Sequence, residues 1–147
     1  MILGWPELIT VAVTMGTVVT AVLVHYEGLS AIGRAIKPRT LHHRAKVLMT
    51  MFSQLGLHIV EIWVFGLAAF LLAQSAQYGA IRPAPTGGFL DFVYFSAITY
   101  TTVGFGDYVP TGPIRFLAGT EALTGFLLIT WSASFTFLEM QRYWGRD

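Results

Sequence analysis

"TYTTVGFGDYVP", Thr99 to Pro110, decides how this chain is read. Two threonines and a valine lead into two glycines that flank a phenylalanine, and an aspartate follows. On its N-terminal side lies "FLDFVYFSAITY", Phe89 to Tyr100, an apolar stretch of twelve residues. A helix needs about 20 apolar residues to cross a bilayer, so twelve read as a re-entrant or buried helix that enters from one face and returns to it. The glycine-punctuated loop then sits at membrane depth. Non-helical backbone survives there only where protein buries it or where it lines an aqueous path, because each unsatisfied amide or carbonyl is costly in hydrocarbon. Gly104 and Gly106 accept positive φ without a Cβ clash, so successive peptide planes can be turned to aim several carbonyls the same way. Such oxygens replace the water shell of a dehydrating cation, and the Thr102 hydroxyl adds one more ring at the inner end. One loop cannot encircle an ion. A ring needs several copies about a closed cyclic axis, and four is the expected number.

The remainder of the sequence agrees with a membrane setting. Of 147 residues, 54% are hydrophobic and 12% charged, far from a soluble composition. The runs Ile2 to Val24, Val47 to Leu72 and Ile114 to Leu138 each approach or exceed spanning length. The first carries no lysine or arginine at its start and is longer than the apolar core of a secretory signal, so it reads as a retained helix. A net charge of +1, with no basic run interleaved with stacking aromatics, gives no reason to expect nucleic acid. With no cysteine, disulfides, thiolate catalysis and cysteine-based metal centres are excluded.

Basic residues near span ends are retained on the cytoplasmic side. Seven of the nine lie in two places: Arg34, Lys37, Arg39, Arg44 and Lys46 between the first two spans, and Arg142 and Arg146 after the third. The N-terminus is therefore expected outside and the C-terminus in the cytoplasm. Leu29, Ile32, Ile36 and Leu41 alternate with the basic residues of the inner connection, which reads either as an amphipathic stretch along the headgroups, interrupted at Pro38, or as a solvated basic loop. The outer connection "AQSAQYGAIRPAPTGG" is punctuated by proline and glycine and reads as loop. Trp5, Tyr143 and Trp144 suit interfacial anchors.

Thr101 to Asp107, "TTVGFGD", resembles the selectivity-filter signature of potassium channels. The order of outer helix, short pore helix, filter and inner helix is similar to the pore domain of that superfamily over about Val47 to Leu138. The resemblance implies an all-α membrane protein of three transmembrane helices plus a re-entrant pore helix and filter loop, assembled as a tetrameric pore. It divides the chain into an extra N-terminal transmembrane helix (1–25), a cytoplasmic basic loop (26–46), the pore domain (47–138) and a short cytoplasmic tail (139–147). It further implies K+ sites formed by the carbonyls of Thr102, Val103, Gly104 and Phe105 with the Thr102 hydroxyl, an outer mouth closed by Gly106 and Asp107, and support from Thr101. Phe105 stands where the family often has tyrosine. Ile98 stands where some members place a carboxylate that bonds the aspartate after the filter, so Asp107 needs another partner, such as Tyr94 or an outer-loop amide. The pore-helix aromatics Phe92, Tyr94, Phe95 and Tyr100 read as a packed cuff. The negative end of the pore-helix dipole would favour a cation below the filter.

In the inner helix Gly125 reads either as the family's hinge or as a close helix contact. Thr130, Ser134 and Phe137 recur at three-to-four-residue spacing and either line the cavity, with Phe137 as an apolar gate, or bond neighbouring helices. Two acids lie inside spans. Glu121 is placed to brace the pore helix or filter. Glu61 follows His58 by three on one helix face, and a metal reading of that pair lacks further ligands, because the topology places His25, His42 and His43 near the cytoplasmic side. A hydrogen-bonded structural pair is the leading reading for it, with proton sensing by either acid as a second role. No span carries arginine at every third residue, so a voltage sensor of the usual kind is missing. No ligand-binding domain is expected in "EMQRYWGRD", so an opening stimulus acts on the membrane part or comes from another protein.

The expected activity is passive, potassium-selective conduction by a homotetramer in the plasma or inner membrane, with no cofactor beyond K+ in the filter and no enzymatic chemistry. The alternatives are a non-selective cation channel and a non-conducting, potassium-dependent scaffold or sensor.

Overall fold

The computed structural model of the protein describes residues 4–36 and 42–144. Ile2, Lys37, Pro38, Arg39, Leu41 and Arg146 lie outside the described residues, as do the side chains of Tyr143 and Trp144. Four helices carry the fold: α1 (Trp5–Ile36), α2 (His43–Ala73), α3 (Phe89–Tyr100) and α4 (Ile114–Trp144). α1, α2 and α4 are long and apolar enough to cross a membrane, whereas α3 has 12 residues. At 1.5 Å per residue a helix of 31 residues runs about 46 Å, well beyond the roughly 30 Å of hydrocarbon. Helix ends therefore stand in water or headgroups, which suits Arg34 and Arg142 in the last turns of α1 and α4.

The first helix does not stop near residue 25 but continues to Ile36. The segment expected to lie along the headgroups or form a loop is helical from Gly28 to Ile36, with Leu29 and Ile36 buried. They extend a line of buried positions on α1: Thr10, Thr14, Thr17, Ala21 and His25. The upper part of that face uses threonine for a physical reason. Thr10, Thr14 and Thr17 each donate to the carbonyl four residues back (2.8, 2.7 and 2.8 Å), so their hydroxyls are satisfied within α1 and present small methyl surfaces to the neighbouring helices.

α2 and α4 are joined lower down by Gln54, whose Nε2 donates to Ser132 O (3.1 Å) while its Oε1 accepts from Thr136 Oγ1 (2.7 Å). Above that level α3 packs against both helices. Phe65 and Leu72 of α2, Phe95 and Tyr100 of α3, and Leu117 and Leu128 of α4 belong to one buried core. Phe92 extends this contact outward, edge-on to Phe70 at 5.3 Å between ring centroids. The outer connection is more ordered than its composition suggests. A single 3-10 turn (Ala76–Tyr78) leads into β1 (Ala80–Arg82), which pairs antiparallel with β2 (Val109–Thr111) in the register Ala80↔Thr111. This two-stranded clasp ties the chain before α3 to the chain after the glycine-rich loop.

Candidate functional site

The loop Thr101–Asp107 begins where α3 ends. Thr101 N still bonds Ala97 O (3.2 Å), then Thr102 N bonds Thr99 O (2.9 Å) and Gly104 N bonds Ile98 O (3.0 Å). These bonds reach back four, three and then six residues, so by Gly104 the chain has reversed and climbs beside the helix it has just left. Higher up, Tyr94 Oη donates to Asp107 Oδ2 (2.7 Å), and Asp107 Oδ1 accepts from Tyr108 N (3.1 Å). The two straps, Ile98 to Gly104 and Tyr94 to Asp107, hold the loop along α3. Where a carboxylate at position 98 would have served, a phenol one helical turn earlier bonds Asp107, and Ile98 is buried instead.

Between the straps the backbone alternates. Thr102, Gly104 and Gly106 all have positive φ, at 60°, 53° and 82°. Glycine tolerates this freely, whereas threonine does so at a cost of about 1–2 kcal/mol, which the bonds of its neighbours to Ala97 and Ile98 must offset. The side chains are left uncovered by the chain itself: Val103 is 54% and Phe105 71% exposed.

Behind the loop, α3 is braced from two helices. Ser96 Oγ lies 2.7 Å from Ile62 O of α2 and is also in short contact with Glu121 Oε1 of α4. Ser96 has one proton. Given to the Ile62 carbonyl, it leaves the carboxyl of Glu121 as the donor in the second contact. Glu121 is fully buried, and its Oε2 has no hydrogen-bond partner among the described residues. Gly125 passes the end of α3 so closely that an added Cβ would lie 2.1 Å from Tyr100 O. That supplies a packing reason for this glycine. Thr130, Ser134 and Phe137 are exposed on one side of α4. Their hydroxyls return to their own helix, Thr130 to Phe126 O and Leu127 O (both 2.9 Å) and Ser134 to Thr130 O (3.0 Å), instead of joining helices within the chain.

At the foot of α3 the structure corrects one expectation. His25 is not out of reach of the His58 and Glu61 pair. Because α1 runs eleven residues past His25, about 16 Å of helix, the imidazole lies well inside the bundle, with Nδ1 2.8 Å from Glu61 Oε1. His58 Nδ1 is 3.0 Å from Glu61 Oε2, and Tyr100 Oη donates to the same oxygen. Tyr100 is thus anchored through its hydroxyl beyond its share in the aromatic packing. Ser132, which no sequence pattern marks, approaches His25 from α4.

The sequence profile of the family described as "Ion channel" matches residues 48–142, which hold most of α2, all of α3 and the loop, and most of α4. Among curated proteins, the chain is 34% identical over 85 residues to "Inward rectifier potassium channel Kirbac3.1" of Paramagnetospirillum magnetotacticum (57% of this chain, 29% of that one). It is 37% identical over 92 residues to "Potassium channel K1" of Plasmodium berghei (strain Anka) (60% and 4%). It is 33% identical over 92 residues to "Two-pore potassium channel 1" of Arabidopsis thaliana (59% and 24%). The chain spans less than a third of the length of each of these relatives. No solved structure gives a significant match. α1 lies outside the matched residues.

Proposed function

Because the chain belongs to the ion channel family, we propose that four copies surround a closed axis and conduct potassium selectively down its electrochemical gradient. The carbonyls of Thr102, Val103, Gly104 and Phe105, with the Thr102 hydroxyl, replace the hydration shell of K+, and Gly106 and Asp107 form the outer mouth. The observation that carries this reading is the alternation of positive φ at Thr102, Gly104 and Gly106. Left-handed residues at every second position turn consecutive peptides so that their oxygens share one side, which is what a column of cation sites requires. The uncovered loop around Val103 and Phe105 favours neighbouring copies, since irregular backbone at membrane depth needs a protein cover or an aqueous path for its polar groups. Thr130, Ser134 and Phe137 then face the shared cavity, with Phe137 as the apolar constriction. The matched relatives, all named as potassium channels, support the choice of ion.

No bond is made or broken in this activity, and no residue is assigned a catalytic role. The basic residues Arg34, Arg44, Lys46 and Arg142 favour a plasma or inner membrane orientation with the N-terminus outside and the C-terminus in the cytoplasm. Flux from proteoliposomes under separate potassium and sodium gradients tests the proposal. Potassium flux well above sodium flux is expected of a dehydrating carbonyl column. Equal rates would replace it with a non-selective channel, and no flux with a scaffold.

A further inference from the structure

The cluster at the foot of α3 joins four side chains from three helices. His25 comes from α1, His58 and Glu61 from successive turns of α2, and Tyr100 from the last residue of α3. Both imidazoles present Nδ1 to the carboxylate, at 2.8 Å on Oε1 and 3.0 Å on Oε2, and Tyr100 Oη lies 2.9 Å from His58 Nδ1. The ligating atoms of His25, His58 and Glu61 all lie within 4.8 Å of one another. His25 and Glu61 are fully buried, and the side chain of His58 is only 15% exposed.

The only ion partners of Glu61 among the described residues are these two histidines. A lone buried charge at such depth is expensive, and buried charges are ordinarily paired or bound to a metal. The far nitrogen of His25 shows a way out. Its Nε2 lies 3.5 Å from Ser132 Oγ, so the ring proton can move to that side and leave the Nδ1 lone pair aimed into the cluster. A metal-bound imidazole is held in this manner, its second nitrogen donating to an outer partner.

We propose that His25, His58 and Glu61, with Tyr100 Oη at the fourth corner, bind a divalent cation of the zinc class. Two imidazole nitrogens and one carboxylate oxygen are a zinc donor set, whereas magnesium and calcium take oxygen ligands. Tetrahedral bonds of about 2.0–2.1 Å place ligand atoms about 3.3 Å apart. The nitrogen–oxygen separations of 2.8 and 3.0 Å therefore need to open by a few tenths of an ångström, and the shorter contact between Tyr100 Oη and Glu61 Oε2 by more. The consequence is mechanical. The metal fastens α1, the helix outside the family match, to α2 and to the residue from which the filter loop starts.

The test uses the full chain, free of any histidine tag, extracted in detergent and stripped with EDTA, in a His42→Gln, His43→Gln background that removes the exposed histidines at the start of α2. Zinc alone is titrated and counted by mass spectrometry, and X-ray absorption reads its shell. Expected are about one zinc per chain, a first shell near 2.0–2.1 Å containing two imidazoles, and a rise in Tm of about 5–10 °C at saturating zinc. Adding His25→Gln should abolish all three, as should Glu61→Gln. Retention of less than about a tenth of a zinc per chain, a shell without imidazole, or undiminished zinc in a folded His25→Gln protein would each overturn the site. If neither variant folds, the imidazole count in the parent protein decides. None of these readouts depends on conduction, so they stand apart from the outcome of the flux experiment.

Discussion

Gly125 and Tyr100 approach as closely as two backbones can: a Cβ on the glycine would meet the Tyr100 carbonyl oxygen at 2.1 Å and the carbonyl carbon at 2.8 Å. The nearest of the atoms it would strike is backbone, at the junction of α3 and the glycine-rich loop, so no side-chain movement relieves the clash. Gly125→Ala must push α3 and α4 apart. Overpacking of this kind costs about 1–3 kcal/mol, and the displacement falls where the filter begins. The expected result is a less thermostable protein with strongly reduced potassium flux. A Gly125→Ala channel of normal stability and normal flux would show that the two helices are not packed in this way.

Tyr94 and Asp107 form the upper strap of the glycine-rich loop. The bond to the Asp107 carboxylate, with lesser help from desolvation and charge, raises the Tyr94 hydroxyl above its ordinary 10.0. A group that holds its proton more tightly in the folded state contributes its full stabilisation below the unfolded value, and loses it as the pH rises through the folded one. The strap is therefore insensitive to Tyr94 titration across the neutral range and weakens only above pH 10. Thermal unfolding followed between pH 7 and pH 11 should show an alkaline loss that Tyr94→Phe lacks. An identical alkaline loss in Tyr94→Phe would remove the strap from the account.

Glu121 is read as the donor in its contact with Ser96, since the single Ser96 proton is directed at Ile62 O. Glutamine keeps the shape and supplies an N–H in place of the carboxyl proton, so Glu121→Gln should assemble and conduct nearly as the parent does. Glu121→Ala removes the brace and leaves a cavity behind the pore helix, at a cost of about 2 kcal/mol or more. Melting temperature and flux should fall together in the alanine variant. If glutamine proves as damaging as alanine, the brace requires a charged carboxylate instead.

Much of this architecture could be read from residues near one another in the chain. The apolar stretch Phe89 to Tyr100 has the bounds of α3 itself, and the three long runs each became a helix of spanning length. What escaped is tertiary. Basic residues mark where a span leaves the membrane, not where its helix ends, so Arg34 read as loop although α1 carries it in its last turn. Leu29, Ile32 and Ile36 continue the three-to-four spacing of Ala21 and His25, and that spacing was the available signal for an unbroken helix. The meeting of His25 with Glu61 depends on how two helices joined through the undescribed residues 37–41 align side by side. Ser132 and Gln54 gave no signal, because a polar residue inside a span has the same appearance whether it faces a neighbouring helix or its own backbone.

The filter itself is tested most directly at Gly104, whose φ is 53°. A Cβ added there meets nothing within 4 Å, so alanine is opposed by the dihedral and not by crowding inside the chain. Holding a non-glycine residue in this region costs about 1–2 kcal/mol per chain, and the proposed tetramer would incur it four times around one ion path. Relaxation toward negative φ would relieve the strain by turning the adjoining peptide plane, which takes a carbonyl away from the ion and breaks the column. Gly104→Ala should therefore yield a folded protein, with α1, α2 and α4 intact, that passes no potassium. Arg44→Ala, changed on an exposed turn at the start of α2, should conduct as the parent does. Circular dichroism together with potassium flux separates loss of fold from loss of filter. A folded Gly104→Ala protein that still selects potassium would contradict the role assigned to these carbonyls.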